Sequence, residues 1–196
     1  EISLGLVGSE MCIRDRGDTE GVFQLESSGM KQVLVGLQPQ NLEDVIALIS
    51  LYRPGPMDSI PTYLRNRHEP DKISYKTPQL AHILDVTNGC IVYQEQVMQI
   101  FRELAGFSFG QADNVRRAMS KKKHAVMEAE REHFVHGCTE PGHECPGCVA
   151  NGIPEQVANQ IYDEMSSFAS YAFNKSHAAC YAYVACLLYT SDAADD

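Results

Sequence analysis

Apolar residues recur along this chain at the spacing of an α-helix, and this periodicity constrains the fold more than any other feature. The clearest run follows Pro154, whose fixed φ suits the first turn of a helix. Val157, Ile161, Met165 and Phe168 then follow at intervals of four, four and three residues. Apolar and polar residues do not alternate over any useful length with the period of two that indicates a strand. The sequence therefore predicts a mainly α fold, a helical domain with long Pro- and Gly-bearing connections and little sheet.

Helix-start and helix-stop signals place further elements. Asn41 is followed three residues later by an acid, Asp44, so a helix should begin there and continue until the sequence Arg-Pro-Gly-Pro at 53–56 stops it. Another helix should follow the β-branched stretch at 91–93 and end near Gly106.

The C-terminal half should contain more helices of the same kind. We expect segments 113–123 and 126–134 to be helical, the second closed by Gly137. A final helix should begin at Ser176, a residue type favoured at N-caps. The Pro-bearing segment 53–87 is predicted to be a long connection.

Length and composition bound the class of protein. The chain has 196 residues, of which 44% are hydrophobic, which is enough for one globular domain with a buried core. It has no run of 18 apolar residues and no signal-peptide pattern at its start, so we expect a soluble cytoplasmic protein. Its seven cysteines are an odd number, so we interpret them as reduced thiols or metal ligands rather than a disulfide scaffold.

The two ends differ in style from the interior. EISLGLVGSEMCIRDR (1–16) and LLYTSDAADD (187–196) resemble translated sequencing-adapter DNA, so we expect neither to belong to the fold and place one domain at 17–186. The first end holds three acids and two bases and the second holds three acids, so leaving both out changes the formal net charge from −10 to −6. The interior is still acidic.

One short stretch of this acidic chain is strongly basic. RRAMSKKK, at 116–123, has five cations in eight residues and no acid. On a helix its two arginines point about 100° apart, so at least one should lie at the edge of the apolar face. Arginine grips phosphate in two places, and lysines supply point charges along a phosphate track. The predicted phosphate-binding residues are Arg116, Arg117, Lys121, Lys122 and Lys123. The alternative is a solvated face that balances nearby glutamates.

A second stretch, Tyr-Ala-Phe-Asn-Lys-Ser-His at 171–177, points to similar chemistry. With Ser176 as the N-cap, Asn174 and Lys175 would stand just before the free amides and the positive dipole end of a helix. Anions bind at such helix starts. The stretch therefore predicts a second phosphate-binding position.

Rings flank this second position. Tyr171 and Phe173 could offer flat faces to a base or sugar, and His177 could donate a hydrogen bond to a phosphate or a leaving oxygen. The alternative makes both aromatic residues part of the core and His177 an ordinary first-turn histidine. Two such stretches in one short chain favour the phosphate-binding interpretation.

A cysteine-rich segment at 137–153 carries a separate hypothesis. Cys138, His143, Cys145 and Cys148 are separated by four, one and two residues, a set that could close a tetrahedral zinc site. Such a site would stabilise a loop, because four protein ligands leave no open position for catalysis. The alternative is a Gly/Pro-rich loop whose cysteines bind no metal.

Six sequence blocks resemble successive blocks of one enzyme family. They are GDTEGVFQLESSGM (17–30), ALISLYRPGPM (47–57), YKTPQLAHILDVTNG (75–89), IVYQEQVMQI (91–100), QADNVRRAMSKKK (111–123) and YAFNKSHAACYA (171–182). In order and spacing they are similar to the alpha subunits of bacterial DNA polymerase III, the family C replicative polymerases. The resemblance covers nearly all of 17–185.

The resemblance implies a fragment of the helical fingers domain, which closes over the incoming nucleotide and the templating base of a DNA-directed DNA polymerase. It implies that Arg116 and Arg117 face the phosphates of the nucleotide or the adjacent template strand, and that the following lysines support backbone contacts. Asn174, Lys175 and His177 would line the nucleotide pocket, with the two aromatic residues of the second stretch shaping its wall.

The resemblance also places the chemistry outside this chain. The family holds its two Mg²⁺ ions with carboxylates of the palm, which should lie upstream of residue 17, so we assign no catalytic residue here. The expected partners of this segment are primer–template DNA and deoxynucleoside triphosphates, without a membrane. The sliding clamp and other replisome subunits would contact regions that it does not include. Arg53 would order a turn near the palm.

Two other functions stay open from the residues alone. A non-catalytic helical module would bind nucleic acid through its basic strip, with salt sensitivity and no dependence on nucleoside triphosphate. A metal-dependent nuclease would need a cluster of acids that the sequence does not show. Asp18 and Glu20 are the nearest to such a pair, but Gly-Asp-Thr-Glu-Gly is more often a turn with a cap.

Overall fold

A computed structural model describes residues 17, 19–121, 124–169 and 173–192. The α-helices, in chain order, are α1 Ser28–Leu37, α2 Leu42–Leu51, α3 Ile60–His68, α4 Ala81–Leu84, α5 Gln94–Ala105, α6 Phe109–Ser120, α7 His124–His136, α8 Gly147–Ala150, α9 Glu155–Ala169 and α10 Lys175–Asp192. The described residues form no sheet; their β pairing consists of two isolated bridges, Tyr93 with Phe173 and Cys138 with Cys145. The predicted mainly α fold is confirmed.

The helix start predicted at Asn41 for α2 is confirmed, whereas α6 begins earlier than predicted. The side chain of Asn41 accepts a hydrogen bond from the backbone of Asp44 at 3.0 Å. In α6, Ser108 and Gln111 form a capping box, so the helix begins at Phe109 and not at 113. The sequence Ser-Phe-Gly-Gln at 108–111 carries this capping signal, and the sequence analysis missed it.

The N-cap predicted for the last helix is wrong. Asn174 occupies that position, because its Oδ1 accepts from the backbone N–H of His177 at 3.2 Å and α10 begins at Lys175. Asparagine and serine are both favoured N-caps, so sequence alone did not decide between Asn174 and Ser176. Lys175 is therefore the first residue of the helix and not the residue before its cap.

The predicted long connection at 53–87 contains a helix that periodicity did not reveal. Helix α3 buries only Ile60 and Tyr63, and its remaining residues are largely polar, so it has no repeating apolar stripe. Short 3-10 turns at Pro56–Ser59, Pro70–Lys72, Pro78–Leu80 and Asp85–Thr87 occupy much of the rest. Each of the first three begins at a proline, which suits the start of a helical turn. Helix α1 was also not predicted.

The core consists of two clusters of buried side chains. The C-terminal cluster centres on Phe101 of α5, whose ring lies 5.0 Å from that of Phe134 and 6.0 Å from that of Tyr162. The other cluster surrounds α2, which is buried along almost its whole length. A helix that is apolar on all sides needs neighbours on all sides. Helix α10 supplies one of them through the buried residues Ala178, Ala182 and Ala185.

None of the helices in the described ranges is both long enough and apolar enough to cross a lipid bilayer.

Candidate nucleic-acid interface

The basic stretch at 116–123 and the second predicted phosphate-binding stretch, of which residues 173–177 are described, meet at the start of α5. We call this meeting point the junction. The backbone N–H of Gln94, its first residue, donates to the carbonyl of Phe173 at 3.0 Å. The side-chain Oε1 of the same residue accepts from Arg116 Nη1 at 3.0 Å. Phe173 in turn donates its own N–H to the carbonyl of Val92, at 3.5 Å, within a parallel bridge. A single residue thus joins α6 to the segment that leads into α10.

Asp113 holds both arginines of α6. Its Oδ1 accepts from Arg116 Nε at 3.1 Å and Nη2 at 2.7 Å, while its Oδ2 lies 2.7 Å from Arg117 Nη2. The hydrogen bond from Arg116 is the main cause that lowers the pKa of Asp113 below its ordinary value, although burial opposes it. The two arginines differ in access to solvent, since the Arg116 side chain is 17% exposed and that of Arg117 is 64% exposed.

Lys175 stands at the junction on the α10 side. Its ammonium forms an ion pair with Glu43 of α2 at 2.9 Å and lies 5.3 Å from the centre of the Tyr93 ring. Its backbone N–H has no partner within the helix, because it lies in the first turn of α10, and it donates to Glu95 Oε2 at 3.4 Å. Two acids therefore now occupy positions around Lys175 that an anionic ligand would compete for.

A strip of rings continues from this junction along α10. The guanidinium of Arg53 lies 4.3 Å from the centre of the Phe173 ring. The ring centres of Phe173 and His177 are 5.1 Å apart, those of His177 and Tyr181 4.7 Å, and those of Tyr181 and Phe23 5.1 Å. The strip joins three of the sequence blocks, and the Phe23 side chain at its end is 60% exposed. Arg53 therefore contacts the ring strip at Phe173 in addition to the turn that it begins.

Sequence reasoning missed Phe23 and Tyr181 as parts of this strip. Residues 173, 177 and 181 succeed one another at intervals of four, so the ring spacing along one face of α10 was readable. The contribution of Phe23 was not readable, because it depends on how the segment before α1 packs against α10.

Gln96 is a buried residue in the first turn of α5 that holds the segment before this helix in place. The sequence analysis did not identify it. It is 4% exposed, and its Oε1 accepts from the backbone N–H groups of Val92 and Tyr93 at 2.9 and 3.0 Å. Its Nε2 donates to the Ile83 carbonyl at 3.1 Å and to Thr87 Oγ1 at 2.7 Å. All four hydrogen-bonding positions of this amide are in use, so the stretch before α5 is fixed in place.

Of the predicted site residues, Arg116, Asn174, Lys175 and Phe173 lie at or beside the junction, and His177 lies one turn along α10. Arg117 and Lys121 lie on an exposed part of α6 and at its end. Lys122, Lys123 and Tyr171 lie outside the described residues, as does Asp18. Glu20 pairs with Lys31 at 3.1 Å.

The described residues of the cysteine-rich segment do not bring their thiols and imidazole together as metal ligands. Cys138 and Cys145 exchange two backbone hydrogen bonds of 2.9 Å, and the Cys145 thiol is directed to the carbonyl of His133. Cys148 is fully buried, and burial raises the pKa of its thiol to about 12, whereas His143 is exposed. No three His, Cys, Asp or Glu side chains of the described residues lie together in a way that could hold a metal ion. The zinc hypothesis thus stays a prediction from ligand spacing, to be checked by metal analysis.

The architecture defines a mainly helical module in which charged side chains of adjoining helix ends meet, and comparison with known proteins gives its family. A family model described as the bacterial DNA polymerase III alpha subunit finger domain matches residues 11–142. DNA polymerase III subunit alpha of Staphylococcus epidermidis (strain ATCC 12228 / FDA PCI 1200) is 48% identical over 172 residues, which is 88% of this chain and 15% of the relative. The corresponding protein of Staphylococcus aureus (strain Mu50 / ATCC 700699) is 48% identical over 173 residues, with the same coverage of 88% and 15%.

The chain belongs to the family of bacterial DNA polymerase III alpha subunits and corresponds to part of their finger domain. It spans about 15% of the length of these curated relatives. The predicted domain boundaries at 16 and 187 stay predictions, and α10 continues past the second of them to Asp192.

Proposed function

We propose that this segment binds incoming deoxynucleoside triphosphate and primer–template DNA as part of a replicative DNA-directed DNA polymerase. The parent enzyme would add deoxynucleotides to a primer 3′ end on a DNA template, in the bacterial cytoplasm. The observation that carries the proposal is the junction at Gln94, which places Arg116 of one basic stretch beside the helix start that holds Asn174 and Lys175.

Each side chain of the junction has a role in this proposal. Arg116 and Lys175 would neutralise phosphate charge, and His177 would donate a hydrogen bond to a phosphate or to the leaving oxygen. Glu43 now neutralises Lys175, so a triphosphate would take its place with a greater negative charge at the same ammonium. Phe173 would form the pocket wall, since its ring is already fixed between Arg53 and His177.

The metal chemistry belongs to another part of the parent enzyme. Mg²⁺ ions held by palm carboxylates would activate the primer hydroxyl and stabilise the leaving pyrophosphate. The described residues contain no cluster of acids suited to that task, so we derive no catalytic step from them. The sliding clamp and other replisome subunits would likewise bind elsewhere on the parent enzyme.

The experiment that tests the proposal is Arg116→Ala in the full-length polymerase that carries this segment. A charge-assisted hydrogen bond contributes about 1.5–3 kcal/mol and about 1.4 kcal/mol corresponds to a factor of ten, so the KM for nucleotide should rise about tenfold or more. Arg102→Ala is the matched control, because Arg102 is an exposed arginine of α5 that lies over the ring of Phe109 and away from the junction.

The second candidate function is a non-catalytic helical module that binds nucleic acid. Its supporting observation is the exposure of Arg117 and Lys121, which needs no nucleotide to explain it. The same Arg116→Ala experiment separates the two functions. An unchanged KM for nucleotide together with weaker DNA binding would favour the module and remove the nucleotide role from Arg116.

A further inference from the structure

Two cysteines lie opposite each other at the base of the loop that joins α7 to α8. Cys138 and Cys145 form an antiparallel bridge, in which each backbone N–H donates to the carbonyl of the other residue at 2.9 Å. Both thiols are free. The residues between them, 139–144, are all exposed. The bridge is therefore the base of a loop whose tip lies in solvent.

The backbone beside this bridge is fixed by the close approach of two glycines. Gly137 and Gly147 both have positive φ values, of 89° and 78°. A Cβ on Gly137 would lie 2.5 Å from the carbonyl oxygen of Pro146, and one on Gly147 would lie 2.3 Å from the backbone nitrogen of Gly137. Only glycine permits so close a contact between backbones, because a side chain would clash. The two segments that carry the cysteines are thus held together by the fold and not by the exposed loop tip.

The pairing brings the two residues to a separation that a disulfide can span. Residues that exchange both backbone hydrogen bonds in an antiparallel pair have Cα atoms about 5.5 Å apart, and disulfides span Cα separations of about 4.4–6.8 Å. The Cβ atoms of such a pair lie about 4.5–5.5 Å apart and those of a disulfide about 3.5–4.5 Å apart, so a small rotation of the two residues closes the gap.

The two side chains also face the same side of the bridge. Cys145 belongs to the C-terminal core cluster, and Cys138 packs against that cluster. This agrees with the geometry of directly opposite residues in an antiparallel pair, whose side chains lie on one face. The two sulfur atoms can therefore meet without a change of register in the backbone.

The two thiols differ in their access to solvent. Cys138 is partly exposed, whereas Cys145 is only 7% exposed and its thiol donates to the carbonyl of His133 at 3.6 Å. A soluble oxidant therefore reaches Cys138 first, and Cys145 is placed to attack the oxidised sulfur. An accessible thiol beside a resolving thiol is the usual arrangement of a reversible oxidation site. Cys148, the third thiol of the segment, is fully buried in α8.

We propose that Cys138 and Cys145 are a modification site, at which hydrogen peroxide forms a reversible disulfide. The peroxide oxidises the Cys138 thiol to a sulfenic acid and is itself reduced to one water. The Cys145 sulfur then attacks the Cys138 sulfur, and the sulfenic hydroxyl leaves with the thiol proton as a second water. Two thiols and one peroxide thus give one disulfide and two waters. A thiol reductant restores both thiols by exchange.

The disulfide links the segment after α7 covalently to the segment before α8. Its reversibility agrees with the interpretation of the cysteines as reduced thiols, because disulfides in reducing compartments are usually transient. The inference goes beyond the proposed function, since neither nucleotide nor DNA takes part in the reaction. Its failure would leave the proposed function untouched.

The test is peptide mapping of the full-length polymerase after brief treatment with hydrogen peroxide, unfolding and alkylation of the remaining thiols. A Glu-specific protease cuts after residues 132, 144 and 155, so it places Cys138 in peptide 133–144 and Cys145 in peptide 145–155. Treated protein should give the two peptides joined, with the mass of two hydrogen atoms missing from their sum. Dithiothreitol should separate them, and untreated protein should give both alkylated.

Fragmentation of the joined peptides identifies the pair, since Cys148 also lies in peptide 145–155. The bond should lie at Cys145, and Cys148 should be alkylated. Cys138→Ser should abolish the joined peptides, whereas Cys180→Ser, which removes an exposed thiol of α10, should leave them unchanged.

Three results would overturn the inference. One is a bond that includes Cys148, either to Cys138 or within peptide 145–155. Another is oxidation of Cys138 to a sulfinic acid without any joined peptides, which would show that Cys145 does not reach it. The third is joining that occurs only after a zinc chelator is added, which would assign the thiols to a bound metal instead.

Discussion

The amide oxygen of Gln94 accepts a hydrogen bond from Arg116 at 3.0 Å, although the two residues lie on different helices and 22 positions apart. The backbone of Gln94 meanwhile holds the carbonyl of Phe173 at 3.0 Å. The position of Arg116 relative to the start of α10 therefore depends on the first turn of α5.

Shortening Gln94 should loosen Arg116 without removing a charge. In the full-length polymerase, Gln94→Ala should raise the KM for nucleotide about fivefold, since one hydrogen bond of about 1 kcal/mol is lost. The salt dependence of DNA binding should stay unchanged. Gln99→Ala, on the same helix and bonded to Glu103, is the control that should do neither. Equal KM values for the two variants would show that Gln94 does not orient Arg116.

Asp113→Asn should remove a pH-dependent contribution to stability. The hydrogen bond from Arg116 lowers the pKa of Asp113 below its ordinary value of 3.8. A carboxyl with a lowered folded pKa stabilises the fold above its unfolded pKa and loses that contribution as the pH falls through the folded value.

The measurement for Asp113 is the free energy of unfolding of the wild type and the variant as the pH is reduced from 7. The variant should be less stable at neutral pH, and the difference should shrink below about pH 4, the ordinary pKa of aspartate. Asp71→Asn, an exposed aspartate in a 3-10 turn, provides the control. A difference that stays constant down to strongly acid pH would contradict the assigned role of Arg116.

Gln96→Leu should destabilise the fold strongly. The substitution keeps the approximate size of the side chain but leaves two backbone N–H groups, a carbonyl and the Thr87 hydroxyl without the amide that they contact. A buried polar group left unsatisfied costs about 1–3 kcal/mol, so the total loss should be at the upper end of that range or above it. Denaturant unfolding is the measurement, and Gln99→Leu should change stability by less than about 0.5 kcal/mol.

The cysteines should differ sharply in reactivity. Burial raises the pKa of Cys148 to about 12 and that of Cys90 to about 11, so both are neutral thiols at pH 8. Cys180 is exposed on α10. Brief alkylation at pH 8 followed by peptide mapping should label Cys180 first and the two buried thiols only after unfolding, and Cys180→Ser should remove the early product. Early labelling of Cys148 would show that the loop around it opens in solution.

Local signals predicted those parts of the fold whose determinants are local. Asn41 and the apolar residues after it define α2, and Gly106 adopts the left-handed conformation that ends α5. Helix α3 was not predicted because its contacts come from only two buried residues, Ile60 and Tyr63, and a stripe needs more repeats than that. Asn174 and Ser176 are both suited to be an N-cap and lie close together in the sequence. Only the observed helix start shows that Asn174 is the cap.

The candidate site was predictable in its parts but not in its assembly. Charge and sequence position marked Arg116 and Lys175 as candidate phosphate-binding residues, and the structure places both beside the same helix start, whereas their binding of phosphate stays a prediction. Their connection through Gln94 could not be predicted, because a glutamine carries no charge signal and its partners come from distant segments. The different surroundings of Arg116 and Arg117 likewise depend on where α5 and α7 pack against α6, which is a tertiary property.

The first turn of α5 assigns three successive residues to three different tasks: Gln94 holds Arg116, Glu95 receives the amide of Lys175, and Gln96 anchors the segment beneath. Successive side chains of a helix are rotated by about 100°, so each of these tasks belongs to one angular position only. Inserting or deleting a single residue here would rotate all three side chains away from their partners at once. Changes of length should therefore be far less tolerated in this turn than at the exposed loop tip around Gly142, where a Cβ added to the glycine would have no atom within 4 Å.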